Sequence, residues 1–288
     1  MEFKNLEGLA DLHNHTTASD GLLTPSELVY WAKKKGLSAI AITDHDSTDG
    51  IEEAIKTGRD IGVYVVPGIE LNTQIGEKEI HILGYFIDKD LSWFQELLIK
   101  IRNARVDRAV KMVENLRKIY GFNIDYDEIQ KESGGSTVGR PHIARLLVKK
   151  GIVASIEEAF EKYIAADSPA YVERYKITPA EGIKIIKKAG GVPVLAHPGL
   201  LYNNSLVAEI IFQGVLGIEA YHIKHTQQQS EQLVKLAQEY NLLITAGSDC
   251  HGELIDGEPT VGSVAIDAQV VKDLYDAANI FKQKFIFQ

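Results

Sequence analysis

The sequence predicts an α/β fold in which seven parallel strands alternate with helices and close, or nearly close, into a barrel that carries a helical insertion. Short apolar segments alternate with helical segments, which is the pattern of parallel strands covered on both faces. Side chains that bind metals stand at the ends of these segments. Parallel strands surrounded by helices gather their ends at one rim, where barrel enzymes place their active sites.

The strand segments are short, apolar and rich in β-branched residues. We predict seven of them, at residues 9–13, 39–43, 63–66, 80–86, 192–196, 215–221 and 242–246. Two helices begin with the same signature, Thr24-Pro-Ser-Glu27 and Thr178-Pro-Ala-Glu181. In each, a capping threonine precedes a proline at the first helical position, and a glutamate follows three residues after the cap. Gly36 and Gly190 are expected to end these helices.

The regular alternation stops between residues 91 and 176. This stretch contains helical patterns at 92–120, 140–150 and 156–164, and no segment typical of a buried strand. We therefore predict residues 1–90 as the first part of the barrel, 91–176 as a helical insertion that forms a substrate-binding cap, and 177–288 as the second part of the barrel.

The composition is that of an ordinary globular protein, because 45% of the 288 residues are hydrophobic and 25% are charged. No apolar run is long enough to span a bilayer and no signal-peptide pattern is present, so we expect a cytoplasmic protein with no membrane partner. Cys250 is the only cysteine, which excludes an intrachain disulfide and agrees with a reducing compartment. The sequence leaves the oligomeric state open.

The formal net charge of −9 argues against nonspecific binding to duplex DNA, which depends on many contacts from Lys and Arg to phosphates. Any nucleic-acid partner is therefore expected to be small or single-stranded. Bound cations would reverse the local field of an acidic site, so the net charge does not exclude an anionic substrate.

Metal-binding side chains end nearly every predicted strand, and six of the nine histidines lie there. The motifs are Asp11-Leu-His13-Asn-His15, Thr43-Asp-His45-Asp46, Gly68-Ile-Glu70, Ile80-His81, Leu195-Ala-His197 and Ser248-Asp249-Cys-His251. Because alternate residues of a strand share a face, His13 and His15 can chelate a common centre, and so can Asp249 and His251. A lone histidine is more often a surface or core residue, but a single metal site explains all these positions together.

Five of these motifs, those around His13, His45, Glu70, His197 and His251, resemble the successive motifs of the PHP family, which is named for its polymerase and histidinol phosphatase members. Two further segments, Gly139-Arg-Pro-His-Ile-Ala-Arg145 and Ala189-Gly-Gly-Val-Pro-Val-Leu-Ala-His-Pro198, are most similar to the branch of metal-dependent phosphoesterases that act on nucleoside 3′,5′-bisphosphates and short RNA 5′ ends. The resemblance implies a distorted (β/α)7 TIM-like barrel, which agrees with the seven predicted strands.

The resemblance also implies how the ligands divide among metal ions. His13, His15, Glu70 and Asp249 would surround one ion, Glu70 would bridge to a second ion held by His81 and His197, and Asp20, His45 and His251 would hold a third. Glu70, Asp249 and His251 are the expected catalytic residues. Nitrogen and oxygen donors without a thiolate favour two or three Mn²⁺ or Fe²⁺ ions, with Zn²⁺ as an alternative.

A cluster of divalent ions activates a bound water and stabilises charge on the attacking and leaving oxygens of a phosphate ester. The sequence contains no Gly-x-Ser-x-Gly elbow and no Walker-type phosphate loop, so no protein nucleophile is expected. We predict an enzyme, a metal-dependent phosphoesterase. It would hydrolyse a phosphate monoester or 5′-terminal phosphodiester of a small nucleotide, either a nucleoside 3′,5′-bisphosphate or a short RNA, by attack of metal-bound hydroxide.

Five residues are predicted to contact the substrate: Arg140, His142, Lys176, Tyr221 and His225. Arg140 and His142 lie in the first turn of a predicted helix, where free backbone N–H groups and the helix dipole favour an anion. Lys176 lies where the insertion rejoins the barrel. Tyr221 and His225 follow the sixth strand, and a nucleobase stacks well on an aromatic face.

Three alternatives stay open. A histidinol-phosphate phosphatase would share the barrel and the metals. A polymerase-type proofreading domain would normally sit in a far longer chain. A metal-stabilised binding module without turnover belongs to another class, and it is disfavoured because purely structural metal sites are usually closed and four-coordinate.

Three residues beside the predicted ligands carry structural expectations. Asp44 and Asp46 flank His45, and either is a candidate to orient an imidazole through a hydrogen bond. Cys250 lies between two predicted ligands and should face away from them as a small core residue.

Overall fold

The structure is a computed structural model that describes residues 6–76, 78–132, 138–173, 175–201 and 203–286, with side chains as far as residue 280. The chain divides into two compact units, one formed by residues 1–95 with 177–288 and the other by residues 96–176. The strands are β1 Leu9–Asp11, β2 Ala39–Ile42, β3 Tyr64–Ile75, β4 Lys78–Tyr85, β5 Val192–Leu195, β6 Gly217–His222, β7 Leu243–Gly247, β8 Leu254–Ile255, β9 Glu258–Pro259 and β10 Ile266–Asp267. The α-helices are α1 Pro25–Lys34, α2 Ile51–Ile61, α3 Ser92–Tyr120, α4 Tyr126–Glu132, α5 Arg140–Lys149, α6 Ile156–Ala159, α7 Pro179–Lys188, α8 Asn204–Phe212, α9 Gln227–Glu239 and α10 Gln269–Ile286.

The first unit is built on an eight-stranded sheet with the order β10-β1-β2-β3-β4-β5-β6-β7. Strands β1 to β3 are parallel to one another, and so are β5 to β7. The N–H of Leu12, just after β1, donates to the carbonyl of Ala246 in β7 at 2.9 Å, so the two sides of the sheet meet. The predicted α/β barrel is therefore confirmed as a nearly closed, barrel-shaped sheet. An additional short strand, β10, pairs antiparallel with β1.

The prediction that the fourth strand is parallel is wrong. Strand β4 runs antiparallel to both β3 and β5. The last pair of the β3–β4 ladder is Ile75 with Lys78, which leaves only two residues in the turn, and a parallel crossover needs about a dozen or more. Strand β3 also continues through Pro67 and Gly68, where the sequence suggested an end, and it reaches Ile75.

This hairpin changes where two predicted ligands sit. Glu70 lies inside β3, paired with Leu83, and His81 lies in the first half of β4, paired with Asn72. Because β4 runs in the opposite direction, its beginning lies at the same rim as the carboxyl ends of the parallel strands. His81 therefore reaches the rim from the start of a strand and not from its end.

The two predicted helix starts are confirmed. Thr24 accepts a hydrogen bond from the N–H of Glu27 and Thr178 accepts one from the N–H of Glu181, and in both helices the glutamate side chain returns to the cap. Each such cap contributes about 1 kcal/mol of stability. Gly36 and Gly190 follow these helices with φ of +77° and +75°, a left-handed conformation that glycine adopts without strain.

The second unit is helical and has a core of its own. Buried side chains from α3, α4, α5 and α6 form one cluster that includes Met112, Leu116, Ile129, Ile143 and Leu147. The barrel has a separate apolar cluster, to which Leu12, Val66, Val192 and Leu274 belong. Each unit therefore buries its own apolar surface, as independent compact units do. No helix in the described part of the chain is both long enough and apolar enough to cross a membrane.

Candidate metal centre

Glu70 lies at the centre of a cluster of histidines. Its side chain is 1% exposed. Five imidazoles surround its two carboxylate oxygens, each with a ring nitrogen between 2.9 and 3.3 Å away: His13, His15, His45, His81 and His197. These residues come from β1, β2, β4, β5 and the segments that directly follow them. The closing of the barrel brings them together around one buried carboxylate.

Two aspartates and His251 complete the cluster. Asp249 Oδ1 lies 3.1 Å from His15 Nε2 and 3.5 Å from His13 Nε2. Asp20 Oδ1 lies 3.6 Å from His251 Nε2. His251 Nδ1 donates to the backbone carbonyl of Asp249 at 2.9 Å, which leaves Nε2 for the cluster. The structure thus brings all nine residues predicted as metal ligands to one place.

The unsatisfied atoms of this cluster fit divalent cations. Several buried donor or acceptor atoms of the predicted ligands have no hydrogen-bond partner among the described residues: Nε2 of His13 and His81, both ring nitrogens of His15, Nδ1 of His197, and Oε2 of Glu70. Leaving such atoms unpaired in a protein interior costs about 1–3 kcal/mol each. Imidazole nitrogens and carboxylate oxygens that converge in this way are the donors that transition-metal ions prefer.

In the absence of metal, the cluster favours an ionised Glu70 and a protonated His15. Burial raises the pKa of Glu70, but the surrounding imidazoles, above all His45, hold this pKa well below its usual range. Burial lowers the pKa of His15, but hydrogen bonding to Asp249 and Glu70 raises it to about 10. In the metal-free protein, a proton on His15 therefore competes with a cation for this imidazole.

Metal binding is accordingly expected to release protons. The imidazole of His15, with its pKa of about 10, is protonated at neutral pH and must lose that proton to offer a lone pair. Raising the pH reduces this competition, so affinity for Mn²⁺ should increase from about pH 6 to pH 8. Calorimetric titrations with Mn²⁺ at one pH, in buffers of different ionisation enthalpy, measure the release. Heats that do not depend on the buffer would contradict the expectation.

Buried carboxylates outside the cluster hold its loops in place. Asp11 accepts hydrogen bonds from the N–H of Ser248 at 3.0 Å and from the N–H of Gly262 at 2.7 Å, and so ties the end of β1 to the end of β7. Asp44 accepts from the N–H of Thr16 at 2.7 Å and from the hydroxyl of Ser19 at 2.6 Å. Asp44 thus fixes the loop that carries Asp20.

Asp46 reaches the imidazole of His45 only through another side chain, that of Asn72. Its Oδ2 accepts a hydrogen bond from Asn72 Nδ2 at 2.8 Å, and that nitrogen lies 3.3 Å from His45 Nδ1. Cys250 is fully buried, in agreement with its expected place in the core.

Backbone strain accompanies the cluster. Asp46, His197 and Asp249 have φ of +49°, +29° and +51°, although none is glycine. Residues other than glycine reach this region at a cost of about 1–3 kcal/mol, and such strain concentrates at functional sites. These three residues follow β2, β5 and β7, where the chain turns sharply at the rim.

Sequence reasoning missed two residues of this region, Glu219 and His222. Both lie on β6, both are buried, and both point toward the cluster. A carboxylate inside an apolar strand was the available signal for Glu219. His222 ends β6, and regular strand alternation would place it on the opposite face from Glu219.

The structure places the residues predicted to contact substrate in different surroundings. His225 Nδ1 donates to the carbonyl of Ala220, and its Nε2 accepts from the N–H of Gly199, both at 3.1 Å, so backbone groups engage both ring nitrogens. Tyr221 is 41% exposed. In the helical unit, Lys176 pairs with Glu173.

Arg140 and His142 lie at the start of α5, as expected. His142 is buried, and its Nδ1 accepts the N–H of Gly139 at 3.0 Å, which makes it part of the helix cap. The guanidinium of Arg140 lies over the rings of Phe160 and Tyr171, at 5.4 and 5.9 Å from their centroids.

Comparison with known proteins agrees with this geometry. The PHP domain model matches residues 11–176. The 5'-3' exoribonuclease Rnm of Escherichia coli is 36% identical over 87% of this chain and 88% of its own length. A 3',5'-nucleoside bisphosphate phosphatase of Chromobacterium violaceum is 32% identical over 84% of this chain and 86% of its own. A solved structure from Bifidobacterium adolescentis, described as that of a metal-dependent phosphoesterase, superposes with a TM-score of 0.81 and 33% identity over 93% of this chain and 96% of its own. A buried carboxylate ringed by histidines at the rim of a barrel, together with these matches, shows that the chain belongs to the PHP family and is a metal-dependent phosphoesterase, a hydrolase of ester bonds.

Proposed function

We propose that this enzyme hydrolyses phosphate esters of small nucleotides, either a nucleoside 3′,5′-bisphosphate or the 5′ end of a short RNA. The observation that carries the proposal is the ring of five imidazoles around the carboxylate of Glu70. The names of the Escherichia coli and Chromobacterium violaceum relatives support the substrate class. The net charge of −9 supports small or single-stranded substrates over duplex DNA.

The donor groupings support two or three divalent ions per chain. Three sets of residues contain only predicted ligands, and within each set the ligand atoms lie within 4.8 Å of one another. The sets are His13, His15 and Glu70; His45, Glu70 and His81; and His15, Asp20, His45 and His251. Glu70 belongs to two of the sets, which suits a bridging carboxylate. We propose Mn²⁺ or Fe²⁺, with Zn²⁺ as the alternative, because the donors are imidazoles and carboxylates without a thiolate.

In this reaction the chain's own residues would orient the groups of the site and neutralise the positive charge of the bound ions. When bound, divalent ions supply an activated water and stabilise negative charge on the phosphoryl oxygens. Glu70, Asp249 and Asp20 would supply the negative charge that holds the ions. The hydrogen bond from His251 Nδ1 to the carbonyl of Asp249 fixes the direction of the His251 ring. No side chain needs to form a covalent bond with the substrate.

A panel of phosphate esters tests the proposal. Purified protein supplied with Mn²⁺ would be assayed on a nucleoside 3′,5′-bisphosphate, the matching 5′-monophosphate, a short 5′-phosphorylated RNA and histidinol phosphate. We expect the highest kcat/KM for the bisphosphate or the RNA, because a second phosphate adds charge-assisted contacts. A preference for histidinol phosphate would overturn the proposed substrate class.

We propose that Arg140, in the helical unit, binds the phosphate of the substrate that is not hydrolysed. It opens α5, whose first N–H groups and dipole favour an anion. Arg105 and Arg108 of α3 line the same small cavity as Arg140, so positive charge is concentrated there. The aromatic rings beneath the guanidinium limit its rotamers and keep it in one place.

Arg140→Ala is expected to lower kcat/KM for the bisphosphate by about ten- to a hundredfold, because a charge-assisted hydrogen bond contributes roughly 1.5–3 kcal/mol. Hydrolysis of an aryl phosphate, which lacks the second phosphate, should hardly change. Arg117→Ala, which removes the same charge from an exposed position of α3, is the matched control. Equal losses on both substrates would show that Arg140 supports the fold and not substrate binding.

A further inference from the structure

A β-bulge in β6 directs two side chains toward the metal centre. Glu219 pairs with Thr245, and Tyr221 pairs with the next residue, Ala246, so the register shifts between them. In a regular strand, residues three apart face opposite sides. The extra residue reverses this alternation. Glu219 is fully buried, Tyr221 is exposed, and His222 is buried again, at 4% exposure.

Glu219 fixes the proton position of His13. Its Oε1 and Oε2 lie 3.0 and 3.2 Å from His13 Nδ1, and since a carboxylate only accepts, Nδ1 carries the proton. Oε2 also accepts the N–H of His197 at 2.7 Å. The lone pair of His13 is therefore on Nε2, which faces Glu70 and Asp249.

His222 has the opposite arrangement. Its Nδ1 accepts the backbone N–H of Lys224 at 3.2 Å, so Nε2 must carry the proton. That Nε2 lies 3.3 Å from Asp249 Oδ2. The other oxygen of Asp249, Oδ1, faces His15 Nε2 at 3.1 Å. Oδ2 of Asp249 thus faces a proton donor, whereas Oδ1 faces a nitrogen of another proposed metal ligand.

This tautomer decides whether His222 is a metal ligand or a hydrogen-bond donor to Asp249. The ligand atoms of His13, His222 and Asp249 lie within 4.8 Å of one another, a spacing that would also suit three ligands of one ion. A ligating Nε2 needs its lone pair, which would move the proton to Nδ1. There it would face the N–H of Lys224, and two donors would oppose each other.

We propose that Glu219 and His222 are positioning residues of the metal centre and not metal ligands. Glu219 holds His13 with Nε2 toward the ion, and His222 holds Asp249 Oδ2 so that Oδ1 is presented to the ion that His13 and His15 share. The proposal rests on the proposed ligand set of the enzyme. Partners of this kind set the orientation and basicity of metal ligands, and their loss commonly costs ten- to a hundredfold in metal affinity.

The test compares variants of His222 with a variant of a proposed ligand. Wild type, His222→Gln, His222→Leu and His13→Gln would be stripped of metal and titrated with Mn²⁺, with free Mn²⁺ followed by electron paramagnetic resonance. The glutamine amide can donate from the place of Nε2, whereas leucine cannot. We expect wild-type ion number in both His222 variants. Mn²⁺ affinity should be near wild type in His222→Gln, about ten- to a hundredfold weaker for one ion in His222→Leu, and one ion should be absent in His13→Gln.

Loss of one ion in His222→Gln, as in His13→Gln, would show that His222 is a ligand and overturn the proposal. Unchanged affinity in His222→Leu would also overturn it. Glu219→Gln should weaken the same ion by about ten- to a hundredfold, and wild-type affinity there would remove Glu219 from the proposed role. Thermal unfolding of the metal-free variants separates these effects from misfolding. If the wild type binds no Mn²⁺, the proposed ligand set fails instead.

Discussion

Glu70→Gln is expected to abolish most of the activity while the protein stays folded. The substitution nearly conserves volume but removes the negative charge around which five imidazoles converge. Because metal and electrostatic contributions to such reactions are worth several kcal/mol, kcat should fall by about a hundredfold or more. Steady-state kinetics on the preferred phosphate ester, together with elemental analysis of the same samples, measure the effect.

Glu239→Gln is the matched control, because it removes the same charge from an exposed position near the end of α9 and should leave kcat unchanged. Circular dichroism of both variants checks the fold. Normal turnover and normal metal content in Glu70→Gln would rule out the central role given to this carboxylate.

Removal of metal is expected to eliminate activity and to destabilise the protein. Chelation would leave the buried nitrogens and the Glu70 oxygen of the cluster without partners among the described residues. An ion that binds only the folded state stabilises it by about 4 kcal/mol at a thousandfold excess over its Kd. The melting temperature should therefore fall after chelation and recover, with activity, on addition of Mn²⁺.

Elemental analysis of carefully purified protein should find two or three transition-metal ions per chain. Ca²⁺ is the informative control, because it prefers oxygen ligands and the cluster is dominated by imidazole nitrogens, so it should restore little. Full activity in a sample shown to contain no metal would contradict a metal-dependent mechanism.

The order of strands and helices in the barrel could be predicted because it depends on local patterns. Apolar β-branched runs such as residues 192–196 mark buried strands wherever the chain places them. Thr24 and Thr178 cap helices through contacts that span only three residues. The direction of β4 depended on its partner. Strand β3 continues to Ile75 and leaves only a short turn before β4, and the sequence pattern did not predict that continuation.

The candidate site divides in the same way. Alternation alone indicated that His13 and His15 share a face, and the motifs at strand ends indicated which residues would meet at the rim. Backbone groups that meet only in the folded chain decide the surroundings of the other side chains. The sequence predicted that His225 contacts the substrate. In the structure, the carbonyl of Ala220 and the N–H of Gly199 hold its ring.

The sequence by itself therefore determined the fold class, the helix starts and the set of chemically capable side chains, because residue type and short-range periodicity are properties of the chain alone. Tertiary structure decided the antiparallel course of β4, the bulge that turns both Glu219 and His222 toward the cluster, and the place of Asn72 between Asp46 and His45. Each of these depends on which strand lies alongside and in which register. The pairing is set by the closure of the barrel and the burial of its core, and residue spacing does not specify it.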